Sequence, residues 1–235
     1  MTQKQTAPQT WVENVRTLLT HSLRVDISSK ERLVTPIFFA LIILMLFSFA
    51  IPEPDGALRS RMMVAESQLA IFFALQIAFS RTFESERVDR IFDHLRLSPI
   101  SSSAFITSKI LHVLLIGGGT MLCTGVLSII VQGQAIGQMA DPVVIGTALL
   151  TLLGLTGIGV LLASITLHAE GHQILFPLLY FPLSVPVLLC STEGLIHWLD
   201  SYRWDSTMRG WSVMLIAFDV IYLTLTILLG TETVD

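Results

Sequence analysis

The chain has 235 residues, of which 52% are hydrophobic and 14% charged, with a mean hydropathy of +0.71 and a net charge of −4. A soluble domain carries about 25% charged residues, so this chain lacks the polar surface to wrap a globule in water and reads as an integral membrane protein. The acidic balance excludes a global basic field for nucleic acid, and Cys123 and Cys190 form no CxxC or CxxCH motif, which leaves them as small packing residues in apolar runs.

Met1 to Thr10 is polar, has no apolar core, and is expected to be disordered and free of a signal peptide. From Trp11 to Val25, Trp11, Val15, Leu18 and Leu19 make a helical stripe, with Val12 and Leu23 beside it, opposed by Glu13, Arg16, Thr17 and Arg24. Such a helix lies along a membrane surface with Trp11 at the headgroup level, or packs on soluble protein; its place just before an apolar run favours the surface. Apolar runs follow at Leu33 to Ile51, Val64 to Ser80, Ala104 to Val131, Val143 to Leu167, Ile174 to Cys190 and Trp211 to Gly230. Each is near the ~17–25 residues that cross hydrocarbon, the second and fifth short and the third long. Pro177, Pro182 and Pro186 interrupt the fifth, which is expected to be bent or partly unwound. Gly117, Gly118, Gly119 and Gly125 in the third run, and Gly154, Gly157 and Gly159 in the fourth, allow close backbone approach, within one bundle or at a dimer seam. The expected fold is all-α: a polytopic membrane protein of six transmembrane helices with an N-terminal amphipathic interface helix, forming a single transmembrane domain over 11–235.

Lysine and arginine placement predicts the orientation. With the N-terminus inside, the inner segments hold Lys4, Arg16, Arg24, Lys30 and Arg32, then Arg81, Arg87, Arg90, Arg96 and Lys109. The outer segments hold only Arg59, Arg61, Arg203 and Arg209. Both termini and the Arg81 to Lys109 loop are therefore expected in the cytoplasm, with the loops around Asp141 and from Ser191 to Gly210 outside.

That inner loop, RTFESERVDRIFDHLRLSPISSSAFITSK, is the largest polar object at one membrane face. Val88, Ile91, Phe92 and Leu95 recur at helical spacing on a helix otherwise made of Glu84, Glu86, Arg87, Asp89, Arg90 and Asp93. Leu97-Ser98-Pro99 ends it, and Ser101 to Ser103 offers caps for the next helix. A short amphipathic helix there is a handle for a soluble partner; a solvated connector has the same composition.

Motifs for chemistry are few. No GxxxxGK[ST] loop occurs, so ATP is not bound through that fold. His168, Glu170 and His172, in HAEGH, lack the HExxH spacing and read as a solvated turn more readily than as a metal site, so no metal is expected. Asp219, in LIAFDVIYLTL, is the one acid near the middle of a run. It should face the bundle interior, paired or protonated, as a gating or substrate-path site or as a neutral acid hydrogen-bonded across helices. With Lys109 counted to the loop, no lysine or arginine lies within a run, leaving Gln76, His112 or threonines as partners for Asp219. Glu66 reads as interfacial. In the outer loop His197, Trp198, Trp204, Asp205 and Trp211 serve as headgroup anchors, or offer a flat porphyrin surface with His197 as ligand. An intramembrane enzyme built on Asp219 and a histidine lacks a nucleophile–base pair, so no catalytic residue is expected.

Three stretches resemble the haem exporter protein B family, the membrane subunit of the bacterial cytochrome c maturation ABC complex. These are Ile51-Pro52-Glu53-Pro54; Phe83-Glu84-Ser85-Glu86-Arg87 running into Leu95-Arg96-Leu97-Ser98-Pro99; and the proline-rich Leu175 to Leu189. The HAEGH turn departs from the family pattern, being acidic and histidine-bearing where a basic turn is expected. The resemblance implies a multi-pass protein of the bacterial inner membrane, a permease half that pairs with a separate cytoplasmic ABC ATPase. It implies a coupling helix from Glu84 to Leu95, with Glu84, Glu86, Arg87, Asp89, Arg90 and Phe92 at the ATPase interface. It also implies a haem-handling membrane subunit and a haem chaperone as partners beside membrane lipid, in a homodimer or hetero-oligomer. ATP would act through the partner and haem would be handled by the complex, with no cofactor bound directly. An ABC exporter permease for a lipid, peptide or other small molecule is the alternative.

Overall fold

The computed structural model describes residues 10–50, 56–81, 101–133, 140–166 and 171–234. Within them the chain forms seven helices: α1 (Trp11–Ser28), α2 (Lys30–Ala50), α3 (Gly56–Ser80), α4 (Ser102–Gln132), α5 (Pro142–Ile165), α6 (His172–Ser201) and α7 (Ser206–Val234). The six from α2 to α7 are long and apolar enough to cross a membrane, the number that the apolar runs predict.

Local chemistry sets the helix ends. α1 opens in a capping box: Glu13 N–H donates to Thr10 Oγ1 at 3.4 Å and Thr10 N–H to Glu13 Oε2 at 3.0 Å. Ser101 caps α4 and Asp141 caps α5, where Pro142 takes the first position, whose fixed φ suits a helix start. α4 ends on Gly133 at φ 67°, a left-handed conformation that glycine adopts without strain.

Several boundaries differ from the sequence reading; α7, for one, starts at Ser206 rather than Trp211. α3 starts at Gly56, because the polar turn of Arg59, Ser60 and Arg61 continues the helix. Lys109, assigned to the connecting loop, lies inside α4 and is 2% exposed. α6 is one uninterrupted α-helix through Pro177, Pro182 and Pro186, running on to Ser201, rather than a partly unwound segment. Each proline removes the donor of its i−4 carbonyl, which for Pro182 and Pro186 is that of Leu178 and of Pro182, and hydroxyls add bonds at other carbonyls of the same stretch. The Tyr222 hydroxyl donates to Leu183 O at 2.9 Å, and Ser184 Oγ to Phe181 O at 2.9 Å.

α5 is the centre of the bundle. From Leu155 to Ser164 every residue is buried, and three of its glycines are approached from three directions. Gly154 faces Asp219 and Val187, Gly157 faces the α7 backbone at Tyr222 and Leu223, and Gly159 faces Phe79. Thr226 Oγ1 donates to Gly157 O at 2.7 Å, tying α7 to α5. Tyr180 on α6 stacks between Phe72 (5.5 Å) and Phe176 (5.4 Å) and locks α6 to α3. α2 sits at the edge, its Ala40 and Leu44 packed on Ala70 and Ala74 of α3.

The two ends of the bundle are closed by polar contacts. At one end lie α1, the start of α4 and the α2–α3 pair of Glu31 with Arg81 (3.7 Å). At the other, Ser67 and Ser128 meet at 2.8 Å, and Gln132 Nε2 donates to Glu66 Oε2 at 2.8 Å, joining α3 to α4. Arg61 and Asp200 pair there at 3.0 Å, joining α3 to α6.

Candidate functional site

The polar face of α1 and the start of α4 meet in a charged junction. Ser22 and Asp26 are one turn apart on α1; Lys109 and His112 are three residues apart on α4; each pair therefore shares a face of its helix. Lys109 Nζ donates to Ser22 Oγ at 3.2 Å and lies 5.7 Å from the Phe105 ring centroid. His112 is 3% exposed, and its Nε2 is 2.8 Å from Asp26 Oδ2. That is ion-pair distance, though the ring N–H is not aligned with the carboxylate as in a directed hydrogen bond. Asp26 Oδ1 accepts from Arg32 Nη1 at 3.0 Å. Burial pushes the Asp26 carboxyl up, but His112 and then Arg32 outweigh it and hold the group below its ordinary value. Trp11 Nε1 donates to Ser103 Oγ at 3.3 Å, so the clamp runs from the first residue of α1 almost to its last turn.

The junction flanks the segment between Arg81 and Ser101. The residues expected at the ATPase interface, Glu84, Glu86, Arg87, Asp89, Arg90 and Phe92, lie outside the described residues. What is described is their mounting: Arg81 tied to Glu31 on one side, and on the other α4, which carries α1 through Lys109 and His112. Sequence reasoning missed the Asp26–His112 pair, having kept His112 for Asp219. The available signal was the matched spacing of polar residues on two amphipathic faces.

Asp219 lies inside the bundle, 4% exposed, and neither carboxylate oxygen has a hydrogen-bond partner. None of the partners expected for it reaches it; His112 is taken up by Asp26 instead. The carboxyl occupies the space that a side chain on Gly154 would need. This is a buried slot between α5, α6 and α7, where a charge is costly.

At the other end, His197 Nε2 sits 3.0 and 3.1 Å from the two oxygens of Asp205. Asp205 Oδ1 also accepts the Thr207 and Met208 amides at 3.0 Å, capping α7. The Met208 amide foremost, with His197 and the Thr207 amide, holds the Asp205 carboxyl low against the effect of burial. Trp198 meets Tyr202 edge-on at 60°. Asp205 engages only Nε2 of the His197 ring, and Trp204 is exposed, so the porphyrin alternative, which would use Nδ1, is not tested by this geometry. His168 and Glu170 lie outside the described residues, and His172 begins α6. Among the described residues no group of three or more His, Cys, Asp or Glu is placed to hold a metal ion.

The chain matches the model of the family described as CcmB protein over residues 13–233. It is similar to "Heme exporter protein B" of Pseudomonas aeruginosa, 25% identical over 181 residues that cover 76% of this chain and 78% of that protein. The match spans all but the outermost residues of the seven-helix bundle, and the chain belongs to the CcmB protein family.

Proposed function

We propose that this chain is the membrane permease subunit of an ABC-type export complex serving cytochrome c maturation. In this reading a separate cytoplasmic ATPase drives it, and the work done is haem delivery or release of a haem-loaded chaperone. The relative's name, "Heme exporter protein B", supports the haem assignment. The lysine and arginine asymmetry supports an inner-membrane orientation with both termini and the α1 end in the cytoplasm.

The observation that carries the coupling role is the mounting of the segment between Arg81 and Ser101. Its flanks are rigid spanning helices, and one of them is clamped along α1 by buried polar contacts. Force applied to that segment is delivered to α3 and α4 rather than absorbed in a loose loop. An apolar stripe of Val88, Ile91, Phe92 and Leu95 fills a groove on the ATPase, while Glu84, Glu86, Arg87, Asp89 and Arg90 pair at its rim.

The test is affinity purification from membranes with Glu86→Lys and Arg87→Glu introduced together. Wild type is expected to bring down an ATPase and haem-handling partners, and the double variant to insert normally but lose the ATPase. Equal recovery from both removes the coupling role, and an ATPase recovered without any haem-handling protein points to a permease for another substrate.

A further inference from the structure

The coupling role makes no use of Asp219. It lies midway along α7, 4% exposed, and neither carboxylate oxygen has a hydrogen-bond partner. The ionisable groups on the elements packed around it supply no counter-charge. α5 carries none from Pro142 to Ile165. α6 offers the Cys190 thiol, about one turn along from Val187, and α7 the Tyr222 hydroxyl, which donates to Leu183 O. α4 meets α7 where Ile106 touches Gly230, and its Lys109 and His112 are held by Ser22 and Asp26 of α1. A carboxylate with neither cation nor donor is strongly disfavoured in such a place, and the acid form removes the charge.

Size selects what the carboxyl can hold. It already fills the space of a Cβ on Gly154, and the two Val187 methyls stand 3.0 and 3.1 Å from that same position. No metal ion or molecule fits between them, but a proton does. The slot is also asymmetric along the helices. Toward the α1 end, Thr226 Oγ1 bonds Gly157 O and the Leu223 amide lies 3.3 Å from the Cβ position of Gly157, so α5 and α7 are sealed together. Toward the other end, one turn before Asp219, Leu215 borders a cavity of about 10 Å³ with Thr147, Cys190 and Ser212 in its wall. That is close to the ~10–15 Å³ that one water needs. Met208, whose amide is bonded to Asp205, lies in the same wall, so the cavity sits between the slot and the α6–α7 corner.

We propose that Asp219 is a proton-binding site, loaded in this packing and exchanged with water at the end of the bundle away from α1. On release the carboxyl O–H bond breaks, its electron pair stays on Asp219, and the proton passes to a water in the small cavity. The carboxylate left behind must be hydrated, so release separates α7 from α5 and α6, and reloading closes them again. The burial of both oxygens is therefore the loaded state, and access comes with the opening. In the orientation proposed above the proton exchanges with the outer side, but the site itself does not depend on ATPase coupling.

The experiment uses the full chain in lipid nanodiscs. Infrared spectra at neutral pH are expected to show a protonated carboxylic C=O stretch in wild type that Asp219→Asn lacks. In D2O that band should shift by isotope exchange, and Ser212→Val, which fills the cavity with apolar atoms, should slow the shift several-fold. The opening is read at Cys190, in a Cys123→Ser background, with a water-soluble methanethiosulfonate. Alkaline pH is expected to raise labelling of Cys190 several-fold more in wild type than in Asp219→Asn, whose own rise reports thiolate formation alone. Asp219→Val, which carries no polar atom, should match Asp219→Asn, and the unfolding midpoint of each at neutral pH reports that it is folded. Absence of an Asp219-dependent acid band, an exchange rate untouched by Ser212→Val, or equal alkaline labelling of wild type and Asp219→Asn each overturn the proposal. Failure to recover an ATPase partner changes none of these readings.

Discussion

A polar group carried into a membrane-spanning helix needs a partner, and α4 obtains two from α1: Ser22 for Lys109 and Asp26 for His112. His112 is the more buried member of the pair, so removing Asp26 leaves the ring without a carboxylate. Asp26→Ala is expected to cost about 2 kcal/mol, less than the roughly 3–5 kcal/mol of a fully buried pair because Asp26 retains some exposure. Unfolding in detergent, followed by Trp11 fluorescence, measures it. Lys109→Met is expected to be near neutral in the same assay, since a thioether of similar volume needs no partner at all. The pH dependence has a definite sign. Docking lowers the Asp26 carboxyl below its ordinary 3.8, so the contribution of this group is complete at neutral pH. It is lost as the pH falls from about 4 through the lower docked value. Spin labels at Arg16 and Leu111 should report α1 separating from α4 in that acid range and holding its distance at neutral pH.

Among the elements, α5 shows how composition becomes geometry. Its Gly157 and the Gly119 of α4 share a composition but not a role. A Cβ on Gly157 would stand 3.2 Å from Tyr222 Cβ and 3.3 Å from the α7 backbone, atoms that cannot swing aside. Gly157→Ala is therefore expected to push α7 outward and destabilise by about 1–3 kcal/mol. Gly119 on α4 has nothing within 4 Å of the same position, so Gly119→Ala should leave the unfolding midpoint unchanged or slightly raised. A drop for Gly119→Ala in the isolated chain would contradict this pair of expectations. α6 makes the complementary point about proline. Pro182 and Pro186 remove donors, yet the helix persists, because helix breaking is a property of an isolated chain in water. In the bundle the Tyr222 hydroxyl reaches Leu183 O beside the proline step. Tyr222→Phe should therefore loosen α6 near Leu183, seen as faster amide exchange in the turn that follows.

On the scale of the whole molecule, the bundle has two ends of different character. One end is a charged clamp; the other is a hydroxyl and amide ladder beside an apolar cavity. Six spanning runs, an amphipathic helix before them and a polar segment after the second run were legible from residues alone. Apolarity over ~20 residues is a local property, and so is the match of Thr10 to Glu13 that starts α1. The family was legible too, because its proline-rich run and loop pattern are stretches of contiguous sequence. What no local reading could supply was pairing. Ser22 and Lys109 are 87 positions apart, and Asp26 chose His112 only because α1 lies along α4. The same holds for Asp219, whose burial against Gly154 without a partner depends on how α7 seats on α5. Hydrophobic periodicity is written into the chain and fixes which segments leave water. Which polar groups then meet inside is decided by helix packing, since a buried polar atom can bond only to what the fold brings within about 3 Å of it.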